Sequence, residues 1–77
     1  MNGKRLLLVE DNKKVQSFNE ELLKKQGFAV ETAMTLAGAR LCLSRQEPDA
    51  IILDIGMPDG NGLDFLKELL RRQISRC

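Results

Sequence analysis

The sequence predicts an α/β protein with a doubly wound parallel sheet, and two observations carry this prediction. Apolar residues alternate along the chain between short strand-like runs and the spacing of amphipathic helices, which gives the order βαβαβα. This order favours parallel strands joined by right-handed crossovers. In addition, acidic residues directly follow two of the three predicted strands. With 77 residues, the chain has room for a single domain.

The first half of the chain contains two predicted strands and the helix between them. Residues 6–9 form a continuous apolar run, typical of a strand that is buried on both faces. The pattern predicts a helix over 13–26, and Gly27 offers a C-terminal stop. The apolar positions of this helix are Val15, Phe18, Leu22 and Leu23. Residues 28–32 are a candidate for a second short strand.

The second half repeats the alternation. Thr35 can cap a second helix that reaches about Arg45, and Pro48 closes it off. The apolar run at Ala50–Leu53 predicts the third strand. Asn61 can cap a last helix. The predicted buried stripe of that helix is Leu63, Leu66, Leu70 and Ile74.

Other side chains receive structural interpretations. Phe18, Phe28 and Phe65 are predicted to lie in the core, and Met57 is predicted to pack within a loop. We expect both cysteines, Cys42 and Cys77, to stay reduced, because neither belongs to a CxxC pair.

The composition restricts the classes of function. Twelve basic and 11 acidic residues give a net charge of +1, so no surface dedicated to nucleic acid is expected. The basic stretch at 67–76 alternates with apolar positions and is interpreted as the solvated face of a helix. The absence of histidine excludes His-based acid catalysis and most zinc sites. The apolar run near the N-terminus is too short for a signal peptide or a membrane span, so we expect a cytoplasmic protein.

Three acidic residues are predicted to meet at one end of the sheet. Glu10 and Asp11 follow the first strand, and Asp54 follows the third. Ligands bind to sheets of this kind beyond the carboxyl ends of the strands. Acids in the first turn of a helix also suit its dipole, which would explain Glu10 or Asp11 but not Asp54. Like charges at close range repel one another unless a cation neutralises them, so the pattern favours a divalent metal and an acidic nucleophile.

These residues carry a resemblance to a known family. LLLVEDN, followed about forty residues later by DAIILDIGMPDGNGLDFL, resembles the receiver domain of bacterial response regulators. The resemblance implies a flavodoxin-like sheet with strand order 2-1-3. It also implies that residues 1–77 form an incomplete receiver domain, without the last two strands and helices.

The resemblance further implies a role for each residue of the site. Asp54 matches the phosphoacceptor, which takes a phosphoryl group from a sensor histidine kinase. Asp11 matches the direct Mg²⁺ ligand, Glu10 its partner acting through water, and the carbonyl group of Gly56 the remaining ligand. The residues that match the loop shaping the site are Met57, Pro58, Gly60 and Gly62. The chain would then be a phosphoprotein of a two-component system, not an enzyme.

Several alternatives remain open. A dehalogenase-like phosphatase would need a second Asp at the position of Gly56, and a dinucleotide-binding module would need GxGxxG where EDNKKV stands. A third alternative is a receiver-like module that binds a partner or a second copy without chemistry. Two features favour this interaction module. The third strand would become a sheet edge and promote self-association. The hydroxyl side chain and the Lys that receivers carry after later strands would be missing.

Overall fold

The computed structural model describes residues 3–54 and 56–76, with side chains up to residue 71. Its elements, in chain order, are β1 Arg5–Val9, α1 Lys13–Lys25, β2 Ala29–Ala33, α2 Leu36–Arg45, β3 Ala50–Leu53, β4 Gly56–Met57, β5 Gly60–Asn61 and α3 Gly62–Arg76. All six predicted elements are present, and the predicted bounds differ from the observed ones by at most one residue. The short strands β4 and β5 form a hairpin that the sequence pattern did not predict.

The main sheet confirms the predicted fold class and strand order. Its three strands run parallel in the order β2-β1-β3. In the register of this sheet, Leu6 of β1 lies between Val30 and Ala50. The central strand β1 is almost fully apolar and is buried from Leu6 to Val9. An apolar central strand of this kind is typical of parallel sheets that are covered on both faces.

The hydrophobic core lies between one face of the sheet and helices α2 and α3. Leu7 and Val9 of β1 are each 1% exposed and pack in one cluster with side chains of both helices. The helical members of this cluster include Leu36, Ala39 and Phe65. Because side chains alternate along a strand, Leu6 and Leu8 point to the opposite face, where α1 packs against β1 and β2.

Polar residues and glycine set the ends of the helices, at Gly27, Thr35 and Asn61 as the sequence suggests and also at Asn12, which was not predicted as a cap. Asn12 caps α1 by accepting hydrogen bonds from the N–H groups of Lys14 and Val15. Gly27 takes a φ of 94° just after this helix, a conformation that glycine adopts without strain. Thr35 caps α2 through the N–H of Gly38, and Asn61 accepts a bond of 2.7 Å from the N–H of Leu63.

The predicted buried stripe of the last helix is wrong. Leu63, Leu66 and Leu70 are 49%, 43% and 50% exposed, whereas Phe65 on a neighbouring face is 1% exposed. Ile74 lies outside the described side chains. The sheet has only three described strands, so only a narrow strip of α3 finds a surface to pack against.

A similar correction applies to α1. Phe18 is 65% exposed and does not lie in the core. Val15 and Leu22, two of the apolar positions that predicted this helix, are 43% and 46% exposed. The side of α1 that is turned to the sheet instead carries the buried Gln16 and the half-buried Leu23. Phe28 is half-buried, so of the three phenylalanines only Phe65 is a full member of the core.

Two further predictions concern the cysteines and the basic stretch. Cys42 is a free, half-buried thiol, and Cys77 lies outside the described residues. Lys67 and Arg71 of the basic stretch are exposed. Among the described residues, no helix combines the length and the apolar character that crossing a membrane requires.

Candidate metal site

The parallel pairing of β1 and β3 brings the three predicted acids together. Val9 pairs with Leu53, so the next residues of each strand, Glu10 and Asp54, lie beside one another at the carboxyl edge of the sheet. The N–H of Asp54 donates a bond of 3.0 Å to the carbonyl of Val9. Carboxylate oxygens of Glu10, Asp11 and Asp54 all lie within 4.8 Å of one another. This cluster is called the acidic site below.

Hydrogen bonds hold two of the three acids in place. The Glu10 carboxylate accepts a bond of 3.0 Å from the N–H of Asn12, and its own N–H donates to the carbonyl of Ala33 at 3.0 Å. The Asp54 carboxylate accepts a bond of 3.2 Å from the N–H of Gly56. Glu10 and Asp54 are half-buried, whereas Asp11 is exposed. A carboxylate has about four acceptor positions, so one such bond leaves room for a cation.

Gln16 of α1 forms hydrogen bonds to the backbone next to the acidic site, a role that the sequence pattern did not reveal. Its side-chain amide is buried and donates to the carbonyls of Glu10 and Ala33, at 3.1 and 3.2 Å. These two bonds hold the ends of β1 and β2 against α1. The signal in the sequence is weak, because a single polar residue in an amphipathic helix ordinarily faces water.

The loop after Asp54 is folded into the β4–β5 hairpin. Gly56 pairs with Asn61, and Met57 pairs with Gly60. Met57 is 7% exposed and joins the core cluster, which confirms its predicted packing role. A side chain at Gly60 would place its Cβ 3.0 Å from Leu36 Cδ1, so the hairpin packs closely against α2 at this position.

Asp59, at the tip of this hairpin, was also missed. Its carboxylate accepts bonds from the N–H groups of Leu36 and Ala37, at 2.8 and 3.0 Å. The bonds from Leu36 and then Ala37 lower the pKa of Asp59 from its ordinary value. Nothing local in the sequence announces this contact, because the two partners lie more than twenty residues away.

Helices α2 and α3, which flank the hairpin, are joined through Arg40. Its guanidinium donates two bonds of 3.2 Å to the Glu68 carboxylate and lies 5.2 Å from the centre of the Phe65 ring. The hydrogen bond to Glu68 raises the pKa of Arg40. Arg40 thus joins the helix that the hairpin tip contacts to the helix that follows the hairpin.

The chemistry of the acidic site fits a hard divalent cation. Mg²⁺ binds oxygen ligands at about 2.1 Å, so ligands on opposite sides of one ion lie about 4.2 Å apart. The carboxylate oxygens, which lie within 4.8 Å of one another, are close to this span. An acid that binds the ion through a water molecule lies farther from it than a direct ligand does. All three donors are carboxylates, the ligand type that suits Mg²⁺, Ca²⁺ and Mn²⁺.

Comparison with known proteins identifies the family. The sequence model of the response regulator receiver domain matches residues 6–76. The chain therefore belongs to the response regulator receiver domain family, as its motifs suggested.

Relatives and solved structures agree with this assignment. The KDP operon transcriptional regulatory protein KdpE of Escherichia coli K12 is 39% identical over 64 residues, which cover 83% of this chain and 28% of KdpE. The transcriptional regulatory protein CpxR of Klebsiella pneumoniae is 42% identical, over 84% of this chain and 28% of CpxR. The chain thus spans less than a third of these relatives.

The fold is shared with receiver structures. The MaeR response regulator bound to beryllium trifluoride superposes with a TM-score of 0.86 at 36% identity, over 91% of this chain and 59% of MaeR. The response regulator TrrA of Thermotoga maritima, in complex with Mg²⁺ and BeF, gives a TM-score of 0.85 at 30% identity, over 90% of this chain and 60% of TrrA. The chain therefore matches somewhat more than half of each receiver.

Proposed function

We propose that this chain is a phosphoacceptor module of a two-component system, which takes a phosphoryl group from a sensor histidine kinase onto Asp54. The observation that carries the proposal is the grouping of Glu10, Asp11 and Asp54 within 4.8 Å at the carboxyl ends of two paired strands. The membership in the receiver family and the likeness to a response regulator in complex with Mg²⁺ and BeF support it.

In the proposed transfer, a carboxylate oxygen of Asp54 attacks the phosphorus atom of a phosphohistidine. The P–N bond breaks, its electron pair leaves with the imidazole, and an aspartyl phosphate forms. A bound Mg²⁺ would supply charge neutralisation between the carboxylate and the phosphoryl oxygens. Asp11 would hold this ion directly, Glu10 through water, and Asp54 and the Gly56 carbonyl would complete the protein ligands. Asp54 is half-buried, and the N–H of Gly56 orients its carboxylate by donating a hydrogen bond to one oxygen.

The proposal treats the chain as a signalling module and not as an enzyme. One relative is named as a protein-glutamate methylesterase, but this chain covers only 19% of that protein. We place the phosphotransfer in the cytoplasm, as expected from the sequence. We propose no direct contact of this segment with nucleic acid or membrane.

A second candidate is a module that associates with a copy of itself without being phosphorylated. The observation that favours it is the open edge of β3, where Ile52 is 42% exposed and, within the described residues, no strand pairs on the outer side. An unpaired strand edge with apolar side chains invites association.

Incubation with acetyl phosphate and Mg²⁺, followed by intact mass measurement, separates the two candidates. We expect a polypeptide of these 77 residues to gain one phosphoryl adduct, slowly, and only when Mg²⁺ is present. The resemblance implies that a hydroxyl side chain and a Lys of later strands meet the phosphoryl charge in a receiver. Without such donors, each typically worth about 3 kcal/mol, transfer is slow.

Matched variants localise the adduct. Asp54→Asn should abolish it, whereas Asp64→Asn, at an exposed acid of α3, should leave it unchanged. No adduct after prolonged exposure would favour the interaction module. An adduct that survives in Asp54→Asn would show that another residue is the acceptor.

A further inference from the structure

The hairpin that follows the acidic site is attached to the rest of the fold at two points, before its first strand and at its tip. At the Asp54 end, the backbone is hydrogen-bonded to Val9 of the central strand. At the tip, the two oxygens of the Asp59 carboxylate each accept one N–H of α2, from Leu36 at 2.8 Å and Ala37 at 3.0 Å. The segment with Gly56 therefore lies between one attachment to the sheet and one to α2.

The tip contact is specific in its geometry. The first N–H groups of a helix have no partner within the helix, and a carboxylate there is favoured by the helix dipole. The Thr35 hydroxyl accepts a hydrogen bond of 3.0 Å from the N–H of Gly38 in the same turn, but none from the N–H groups of Leu36 and Ala37. Asp59 supplies both remaining acceptors from a different part of the chain.

Packing reinforces this contact and transmits its position to Gly56. The buried Met57 side chain lies in the core with Leu36, and Gly60 touches the Leu36 side chain so closely that a Cβ would lie 3.0 Å from it. Because Gly56 pairs with Asn61 and Met57 with Gly60, a shift of the tip moves Gly56 with it.

We propose that Asp59 is a positioning residue for the acidic site: by holding the hairpin on the first turn of α2, it fixes where the Gly56 carbonyl meets the metal ion. This inference rests on the proposed function, in which that carbonyl is a ligand. A metal site depends on the groups that orient its ligands as well as on the ligands themselves. Asp59 acts here through the backbone of Gly56 and does not touch the ion.

A helix cap alone would also explain the two bonds, so the test must separate a cap from a positioning group. Mg²⁺ titration of the ¹⁵N-labelled chain, followed at the amide signal of Met57, reports on the carbonyl of the preceding Gly56. Asp59→Ala removes both acceptors, and Asp59→Asn keeps one carbonyl oxygen. Thr35→Ala is the matched control, because it removes a cap from the same turn of α2 without touching the hairpin.

We expect Asp59→Ala to weaken Mg²⁺ binding about tenfold and to reduce the shift of the Met57 amide at saturation. Asp59→Asn should fall between Asp59→Ala and the unchanged chain. Thr35→Ala should lower the melting temperature yet leave the Mg²⁺ affinity unchanged. All affinities are measured at a temperature where circular dichroism shows the variant folded; if Asp59→Ala does not fold, Asp59→Asn decides.

Two results would overturn the positioning role. One is an unchanged affinity in folded Asp59→Ala or, failing that, in Asp59→Asn. The other is an equal loss of affinity in Thr35→Ala, which would reduce Asp59 to a helix cap. Asp11→Ala separates this failure from that of the proposed function: if the unchanged chain shows no Mg²⁺ response that Asp11→Ala removes, the metal site itself is wrong and the positioning role falls with it.

Discussion

The Asp59 carboxylate makes the stability of the chain depend on pH. Its pKa in the folded chain is lowered, first by the N–H of Leu36 and then by that of Ala37, with a smaller contribution from the charge of Arg40. A carboxylate with a lowered folded pKa stabilises the fold above its unfolded pKa, which is about 3.9 for Asp, and this contribution is lost as pH falls through the folded value. We therefore expect the unchanged chain to be more stable than Asp59→Asn at pH 7, with a difference that narrows below about pH 4. Urea unfolding of both proteins at several pH values measures this difference. A difference that stays constant down to pH 3 would contradict the assignment.

Individual residues also show what the sequence could and could not predict about the site. Glu10 and Asp54 were predicted because each follows a strand, and parallel pairing alone brings such positions together. Asp59 and Gln16 were not predicted, since their partners belong to other elements. A hydrogen bond to a distant backbone group leaves no periodic signal in the sequence. Local chemistry thus indicated the acids of the site but not the residues that hold the surrounding backbone.

At the scale of elements, the existence and order of helices and strands were predicted, but the buried faces of α1 and α3 were not. Apolar spacing finds a helix, yet Phe18 and Phe65 both fit such spacing and differ from 65% to 1% in exposure. Which of several apolar stripes is buried depends on where the sheet ends, and this is a property of the tertiary structure. The two short strands of the hairpin were missed because two residues are too few to show alternation.

These two phenylalanines provide a matched test of the packing. We expect Phe65→Ala to lower the free energy of unfolding by about 3–5 kcal/mol, because it removes a buried ring and leaves a cavity. Phe18→Ala makes the same chemical change at an exposed position and should change the free energy of unfolding by no more than about 0.5 kcal/mol. Urea unfolding followed by circular dichroism compares them. Equal losses in the two variants would mean that α1 packs against a surface that the described contacts do not show.

At the scale of the whole molecule, some of the exposed apolar side chains belong to the strand at the open side of the sheet and to the helix that follows it. Within the described part of the chain, β3 has β1 on one side and no strand on the other. Ile52 of β3 is 42% exposed, and exposed leucines follow on α3, the helix after it. A chain this small buries a modest fraction of its surface and has little stability in reserve. Covering this edge would therefore lower the free energy of the molecule noticeably.

We expect a polypeptide of these 77 residues to self-associate through the β3 edge. Pairing two such edges across a two-fold axis would complete backbone hydrogen bonds and bury the neighbouring apolar side chains in one step. Sedimentation equilibrium at micromolar concentration measures the population of dimers. Ile52→Lys should shift this population towards monomer, because the substitution places a charge at the edge.

Leu41→Lys is the control. Leu41 is 58% exposed, but it lies on α2, which packs over β1 and β2, so the same change should leave the dimer population unaffected. A folded monomer over the whole concentration range would show that the open edge is stable on its own, whereas equal shifts in both variants would place the contact elsewhere on the surface.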